Sequence, residues 1–409
     1  MGALWGVVRS SGSFETRYRV LSICTHPVQY AAPLFRCMAQ HPKLDHLVAY
    51  CSLRGAEAGH DPEFGTTVKW DIPLLDGYKW VQIPNKGSGD ESFFGFYNPG
   101  LWSLIRDSKY DAILCFTGYL RASFWIAWFR ARLSRTAFIF GTDATTLNSM
   151  DGRKWKRPVK RLFWPFLYRL ASQVIVLSTG TKELMLSLGI PAKRISLAPY
   201  SVGNDWWLEQ SAKVDRKAVR DSWGIPPEAP VVLYCAKLQP WKRPQDLLNA
   251  FAKAALPDAY LVVAGEGPLR AEMERETATL GISQRSRFLG FVNQSQLPSV
   301  YTAADVLVLP SSYEAFGVVV NEASLCGCAV VSSDRVGAAR DLIIPVDPGL
   351  IYPCGDVAAL AILLRKLVSD RGRLRDLGEA ARKRMASWSP KETAAGMVDA
   401  VEVAVRRRG

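Results

Sequence analysis

Glu314-Ala-Phe-Gly-Val-Val-Val-Asn-Glu322 follows the apolar run Asp305-Val-Leu-Val-Leu-Pro310. Together they read as the exit of a buried strand, a short loop and the start of a helix. Ser311, Ser312, Tyr313 and Glu314 make the loop, and the helix is expected to start at Gly317. A helix start presents unpaired amides, so the backbone from Phe316 through Gly317 to Val318 can point at an anion. Glu322 falls one to two turns inside, where a carboxylate can accept hydrogen bonds from the paired hydroxyls of a ribose. Three valines come just before it and Ala323 follows, a setting in which an unpaired carboxylate is costly. Glu314, on the loop, can reach hydroxyls of a bound sugar. The plainer reading keeps both as carboxylates favoured near any helix start, with Glu322 on the surface.

Outward from this segment, the runs Pro230-Val-Val-Leu-Tyr234, Tyr260-Leu-Val-Val263, Arg287-Phe-Leu289 and Ala329-Val-Val-Ser332 alternate with helix-length amphipathic stretches. That rhythm predicts a parallel sheet with crossover helices, and ligands in such sheets sit at the carboxyl ends of the strands. After the first run comes Lys237-Leu-Gln-Pro-Trp-Lys242-Arg243-Pro, opening a helix near Pro244. Its cations either neutralise a diphosphate beside that helix start or form a solvated basic loop. After the second comes Ala264-Gly-Glu-Gly-Pro-Leu-Arg270, where Gly265 and Gly267 permit a tight turn or let the backbone approach a base. After the third, Phe291 and Val292 either border an aromatic base or pack into the core.

The first half repeats the rhythm through Val20-Leu-Ser-Ile-Cys24, Leu47 to Cys51, Ala112-Ile-Leu-Cys-Phe116, Ala137-Phe-Ile-Phe140 and Val174-Ile-Val-Leu177. Between the halves, the polar stretch Ser201 to Glu228, with Gly203 and Pro226-Pro227, reads as a hinge. The expected architecture is α/β: a loose tail over 1–18, a first domain over 19–205 and a second over 206–388. Both domains are doubly wound parallel sheets, facing each other across a cleft. A further stretch, Gly65-x4-Trp70-Asp71-x2-Leu74-Leu75-x-Gly77-Tyr78, mixes aromatic and polar groups as sugar-stacking surfaces do, although ordinary packing explains it equally well.

The 409 residues are 48% hydrophobic and 22% charged, which excludes a disordered chain and suits two or three domains. A net charge of +13 points to acidic partners, whether nucleic acid, anionic membrane or phosphorylated substrate. The eight cysteines form no zinc-like pairs, several lie in apolar runs, and they read as buried free thiols. Cys326-Gly-Cys328 is remote in sequence from the four histidines, all of which precede residue 61. No apolar run reaches the roughly 18 residues that span a bilayer, and residues 1–19 hold no apolar signal core, so a cytoplasmic protein is expected.

Glu314-x7-Glu322, with Leu309-Pro310-Ser311 before it and Ala323-Ser-Leu-Cys-Gly327 after it, resembles the EX7E signature of family 4 glycosyltransferases. Lys237-Leu-x3-Lys242 resembles that family's basic pair, with lysine where arginine is usual. Gly265-Glu-Gly-Pro268, Leu289-Gly-Phe291 and Asp334-Arg-Val-Gly337 resemble its remaining blocks in the same order. The resemblance covers about residues 20–390 and implies the GT-B fold, two Rossmann-like domains with the donor held mainly by the second. It also implies that the last helix, 389–409, crosses back to the first domain. By the same resemblance, Lys237 and Lys242 bind the donor diphosphate, Glu322 holds the ribose, Glu314 contacts the sugar and the Gly317 and Val318 amides assist. The implied reaction is retaining transfer from a UDP- or GDP-sugar. The sequence holds no Asp-x-Asp, so no metal and no cofactor are expected.

Many family members place a histidine after the strand corresponding to 112–116, where this chain has Thr117-Gly118-Tyr119. The family's glycine-rich loop after the first strand is also replaced, by Thr25-His-Pro-Val-Gln-Tyr30. His26 is therefore the substitute candidate for a catalytic, cleft-lining group, with a surface or helix-entry role as the other reading. Gln29, Tyr30, Thr117, Tyr119, Thr142 and Asp143 are the further acceptor-side candidates, because each leaves a first-domain strand.

Arg153-Lys-Trp-Lys-Arg-Pro-Val-Lys-Arg-Leu-Phe-Trp-Pro-Phe-Leu-Tyr-Arg169 joins seven basic residues to five aromatics with no acid. Such a segment suits an anionic bilayer at about 1 kcal/mol per cation, or else forms a solvated basic face over a packed aromatic core. The expected partners are thus a nucleotide-sugar donor, a glycan or lipid-linked acceptor of cell-envelope synthesis, and the inner membrane face through Arg153–Arg169. No nucleic acid is expected, since no known binding module accompanies the charge. A non-catalytic donor-binding subunit and a sugar-nucleotide epimerase of the same fold are the other readings.

Overall fold

The computed structural model describes residues 17–61, 65–148 and 153–407. The expected tail therefore lies, through residue 16, outside the described residues. The first domain contains β1 (Tyr18–Cys24), β2 (Leu44–Tyr50), a small hairpin of β3 (Gly59–Asp61) and β4 (Thr66–Val68), then β5 (Lys79–Gln82), β6 (Ala112–Cys115), β7 (Ala137–Thr142), β8 (Gln173–Val176) and β9 (Ile195–Leu197). The hairpin apart, these form a seven-stranded sheet in the order β5-β2-β1-β6-β7-β8-β9, parallel throughout. The second domain contains β10 (Val231–Cys235), β11 (Tyr260–Ala264), β12 (Ser286–Gly290), β13 (Val306–Leu309), β14 (Ala329–Ser333) and β15 (Ile351–Tyr352). Its order is β12-β11-β10-β13-β14-β15, again parallel.

Parallel strands need helical crossovers on both faces, so central strands are buried on both sides and read as unbroken apolar runs. All five residues of β10 are buried, as are all four of β6. β5, β9 and β15 were not foreseen. They are sheet edges or near-edge strands of two to four residues, and β5 is largely exposed, so they carry no apolar run to recognise. In both sheets the order reverses beside the first strand, between β1 and β6 and between β10 and β13. Each reversal opens a crevice at the carboxyl ends of the strands. The expected GT-B arrangement is therefore present in both halves.

The expected hinge over Ser201–Glu228 is instead two helices, Asn204–Ala212 and Arg216–Ser222, packed on the second domain. Trp207 is buried there against Tyr301, with ring centroids 5.8 Å apart. Arg220, also buried, donates to the carbonyls of Ala303 and Ala229 and to Asp305. A buried guanidinium with a full set of acceptors reads as polar in sequence but is core in the fold.

The chain returns through the helix Pro390–Arg406, opened by a capping box between Ser389 and Glu392. Its face of Ala394, Met397, Val398, Val401 and Ala404 packs with Val20, Leu114, Ile139 and Ile175 on one side of the first sheet. Asp399 accepts from Ser196 at 2.8 Å and Glu402 from Lys43 at 2.8 Å, which sets the helix along the sheet. At the crossing, Tyr30, Tyr200, Phe316 and Trp388 stand in a row; Tyr200 stacks on Phe316 at 5.2 Å and Phe316 on Trp388 at 6.3 Å. All eight cysteines are free thiols and six are buried.

Candidate donor and acceptor sites

A cavity of about 370 Å³ opens at the carboxyl end of the second sheet. The exits of four strands meet in it: Lys237 and Lys242 after β10, Gly265 after β11, Phe291 and Val292 after β12, and Glu314, Gly317 and Val318 after β13. Glu322 lies at its inner wall. The convergence follows from topology, because β10 and β13 flank the reversal point and β11 and β12 extend the same edge.

Two glycines let these loops meet. At Gly265 a Cβ would fall 2.0 Å from the Ala236 carbonyl, and φ is +154°. Gly317 takes φ +97°, a conformation that side chains disfavour, and turns the chain so that the helix begins at Val319, two residues later than expected. Gly267 does not line the cavity; it lies against the Leu238 carbonyl and supports the Lys237 loop from behind. Phe316, expected to present its backbone toward an anion, does not line the cavity with its side chain. Its ring is buried between Tyr200 and Trp388, because the tight turn at Gly317 directs it into the domain crossing.

Lys242 forms an ion pair with Glu314 across the mouth of the cavity. The backbone of Ser312 donates to the Trp241 carbonyl at 2.8 Å, which ties the basic loop to the Glu314 loop. Arg243 turns away to Asp246 at 2.6 Å and does not line the cavity, so the basic loop contributes two cations rather than three. Glu322 is buried and accepts from the Tyr301 hydroxyl at 2.9 Å. Burial pushes its carboxyl up to about 7, although hydrogen bonds from Tyr301 and Gln294 oppose the rise. Tyr301 and Gln294 escaped the sequence reading. No motif marks them, and only the packing of the helix Leu297–Ala303 on the Glu322 helix reveals them.

The first domain also reaches this cavity. Trp70 and Gln29 line it, and the Trp70 and Phe291 rings approach to 6.3 Å. Asn293 donates to the Lys69 carbonyl at 2.8 Å and the Ser295 backbone to Asp71 at 3.0 Å, so the segment Lys69–Asp71 is latched to the loop after β12. Gln29, expected on the acceptor side, thus faces this second-domain cavity. Tyr78 is a packing residue, bonded to Tyr50 at 2.7 Å.

A second cavity, about 250 Å³, opens on the first-domain side of the cleft. His26, Tyr30, Thr142 and Asp143 line it, as expected of residues leaving β1 and β7. Thr117 and Tyr119 do not. Thr117 is buried against Cys115, and the Tyr119 hydroxyl accepts from Trp164 at 2.9 Å while its carbonyl accepts from Trp125. The helix Ala122–Leu133 and the helix Lys156–Arg169 clamp this strand exit, which keeps it out of the cleft. Asp143 opens to the cleft but is walled by protein, and that confinement, with the Glu314 charge adding to it, raises its carboxyl above the usual range. Among the described residues no group of histidine, cysteine and carboxylate side chains is placed to hold a metal ion.

Comparison with known proteins follows the same division. Residues 29–201 match the glycosyl transferase 4-like domain and residues 215–384 match glycosyl transferases group 1. The chain is 33% identical over 222 residues to a 2-deoxystreptamine N-acetyl-D-glucosaminyltransferase of Streptomyces fradiae, covering 53% of this chain and 52% of that protein. It is 36% identical over 228 residues to a D-inositol 3-phosphate glycosyltransferase of Catenulispora acidiphila, covering 53% and 52%. The matched part spans about half the length of these relatives. Among solved structures, Anabaena HepE in complex with UDP and glucose superposes with a TM-score of 0.72 at 19% identity, over 94% of this chain and all of that one. Sucrose-phosphate synthase of Thermosynechococcus elongatus gives 0.66 at 21%, over 93% and 98%. With one glycosyltransferase domain matched on each half and the two-domain frame shared with known structures, the chain belongs to the group 1 glycosyltransferases of the family 4 type, built on the GT-B fold.

Proposed function

We propose that the protein transfers a sugar from a nucleoside-diphosphate sugar, UDP- or GDP-linked, to a hydroxyl of a glycan or lipid-linked acceptor, with retention at the anomeric carbon. The observation that carries this reading is the convergence of Lys237, Lys242, Glu314 and Glu322 on one cavity at the reversal point of the second sheet. Departure of a nucleoside diphosphate develops about two negative charges, and fixed cations stabilise them without reorganisation. Lys242 pairs with Glu314; a donor diphosphate would take over the cation and leave Glu314 to the sugar hydroxyls. The two lysines replace a metal in this scheme, so chelators are expected to leave turnover intact. Thermal-shift measurement with UDP-, GDP- and ADP-sugars tests the donor site, and stabilisation by none of them at millimolar concentration would refute it.

The names of the relatives supply two acceptor chemistries, an aminocyclitol and a phosphorylated cyclitol. A membrane-borne acceptor in envelope synthesis is supported by the helix Lys156–Arg169. Trp155 just before it, together with Val159, Leu162 and Phe166, presents an exposed apolar stripe; Leu162 is 83% exposed. Lys156, Arg157, Lys160 and Arg161 flank that stripe, the pattern of a helix lying in an anionic interface. No helix among the described residues is long and apolar enough to cross a membrane, so the association proposed is peripheral, on the cytoplasmic face. Leu162→Glu with Phe166→Glu should abolish co-sedimentation with phosphatidylserine vesicles; retained binding would remove the membrane from the proposal.

A further inference from the structure

Building on the transferase reading, we propose that the acceptor's reacting ring carries a protonated amine beside the attacking hydroxyl, and that Asp143 binds that amine.

The chain carries a net charge of +13, yet among the described residues no lysine or arginine lines the first-domain cavity. Among the described residues, Asp143 is the one carboxylate that lines it. The side chain opens to the cleft, and no lysine or arginine among the described residues forms an ion pair with it. The charged group it feels across the cleft is Glu314, another carboxylate, which raises its pKa in the same direction as confinement does. A carboxylate that faces another carboxylate and has no lysine or arginine partner gains from a cationic ligand and loses from an anionic one. A phosphorylated ring would set its dianion against Asp143 with no lysine or arginine among the described lining residues to offset it. Beside His26, hydroxyls such as those of Thr25, Thr142, Tyr30 and Tyr200 line the cavity and suit a polyol. At about 250 Å³ the cavity lies just below the usual size of small-ligand pockets, roughly 300–1,000 Å³. Leu34, Phe35 and Met397 close it behind. It therefore accommodates one ring rather than a longer glycan, with the rest of any larger acceptor left outside.

The amine takes no part in bond making and keeps its proton. The neighbouring hydroxyl oxygen bonds to the anomeric carbon, the bond from that carbon to the diphosphate breaks, and the hydroxyl proton leaves with the departing diphosphate. Asp143 fixes which hydroxyl of the ring faces Glu314 and the donor.

Three six-membered carbocycles of graded charge test this: 2-deoxystreptamine, myo-inositol and D-inositol 3-phosphate. Each is titrated onto the full chain saturated with the sugar nucleotide that stabilises it most. 2-Deoxystreptamine should bind about tenfold more tightly than myo-inositol, the worth of one charge-assisted hydrogen bond, and the phosphate should bind most weakly. Asp143→Asn should level the first two to within about twofold while the thermal shift with the sugar nucleotide persists. Equal or tighter binding of the neutral or phosphorylated ring, no binding of any ring, or an unchanged preference in Asp143→Asn would overturn the assignment. Absence of a thermal shift in the unaltered protein would instead strike the transferase reading on which it rests.

Discussion

The two cavities that face each other across the cleft have opposite electrostatic character. The donor cavity brings Lys237 and Lys242 to its mouth and buries Glu322 behind a tyrosine and a glutamine. The first-domain cavity offers Asp143, His26 and hydroxyls, with no lysine or arginine among the described residues. Both lie at equivalent places, the order reversal of a parallel sheet, so fold does not account for the difference. What differs is the cargo each half is suited to hold. A diphosphate needs fixed positive charge, whereas a polyol needs hydroxyl partners and is oriented by a single charge at most. A strongly basic chain can thus carry an acidic wall in its cleft, and net charge says little about an individual pocket.

The contrast is broken most severely at Lys242. Lys242→Ala should lower transfer about 10²–10³-fold, the usual cost of removing a fixed group that stabilises leaving-group charge. Circular dichroism should remain that of the native fold, since the lysine ends a single 3-10 turn, Pro240–Lys242, at the cavity mouth. Activity within a few-fold of the unaltered protein would remove the lysine from the diphosphate site.

Trp70 offers a smaller and more specific break, because it is a first-domain residue in the second domain's cavity. Trp70→Ala should weaken sugar-nucleotide binding about tenfold, in line with the roughly 1–3 kcal/mol of base–aromatic stacking. Calorimetric affinity equal to that of the unaltered protein would mean that the Lys69–Asp71 latch closes without touching the base.

Glu322 gives a pH signature. Its folded-state carboxyl is raised to about 7, above the ordinary glutamate value, so the stability it contributes is fullest in acid and is lost as pH rises through about 7. Ribose hydroxyls donate to the ionised form, which reverses the preference. UDP-glucose, whose diphosphate does not titrate in this range, should therefore bind about tenfold more tightly at pH 8 than at pH 6. Glu322→Gln should bind weakly at both; a pH slope that persists in this variant belongs to another group.

The smallest effect is expected at Tyr119. Tyr119→Phe removes the acceptor of the buried Trp164 indole and should cost about 1–2 kcal/mol in denaturant unfolding. Transfer should change by less than about twofold, because the hydroxyl lies outside both cavities. A large loss of turnover would return this strand exit to the acceptor site.

How much could be read in advance differs between the halves for a physical reason. In the second domain the cavity-lining groups sit on strand-exit loops, each a few residues from an apolar run, and Glu314 to Glu322 is one contiguous loop and helix. Periodicity locates the runs, and the chemistry follows them directly. In the first domain, Thr117 and Tyr119 also leave a strand, but two helices cover that exit. Gln29 leaves β1 beside Tyr30, yet it lines the donor cavity while Tyr30 lines the other. The polar stretch Ser201–Glu228 looked like a linker because Arg220 and Trp207 find their partners at distant positions, at Asp305 and Tyr301.

From its sequence alone, this protein shows two parallel-sheet domains and the donor-side motif, because buried parallel strands impose apolar runs and anion-holding loops must follow them. Tertiary structure alone decided which first-domain residues face the cleft. Only there do Tyr301 and Gln294 meet Glu322, Trp70 reach across to Phe291, and Asp143 stand opposite Glu314. Each of these relations joins residues far apart along the chain, and such contacts are set by how helices cover the strand ends rather than by any local pattern.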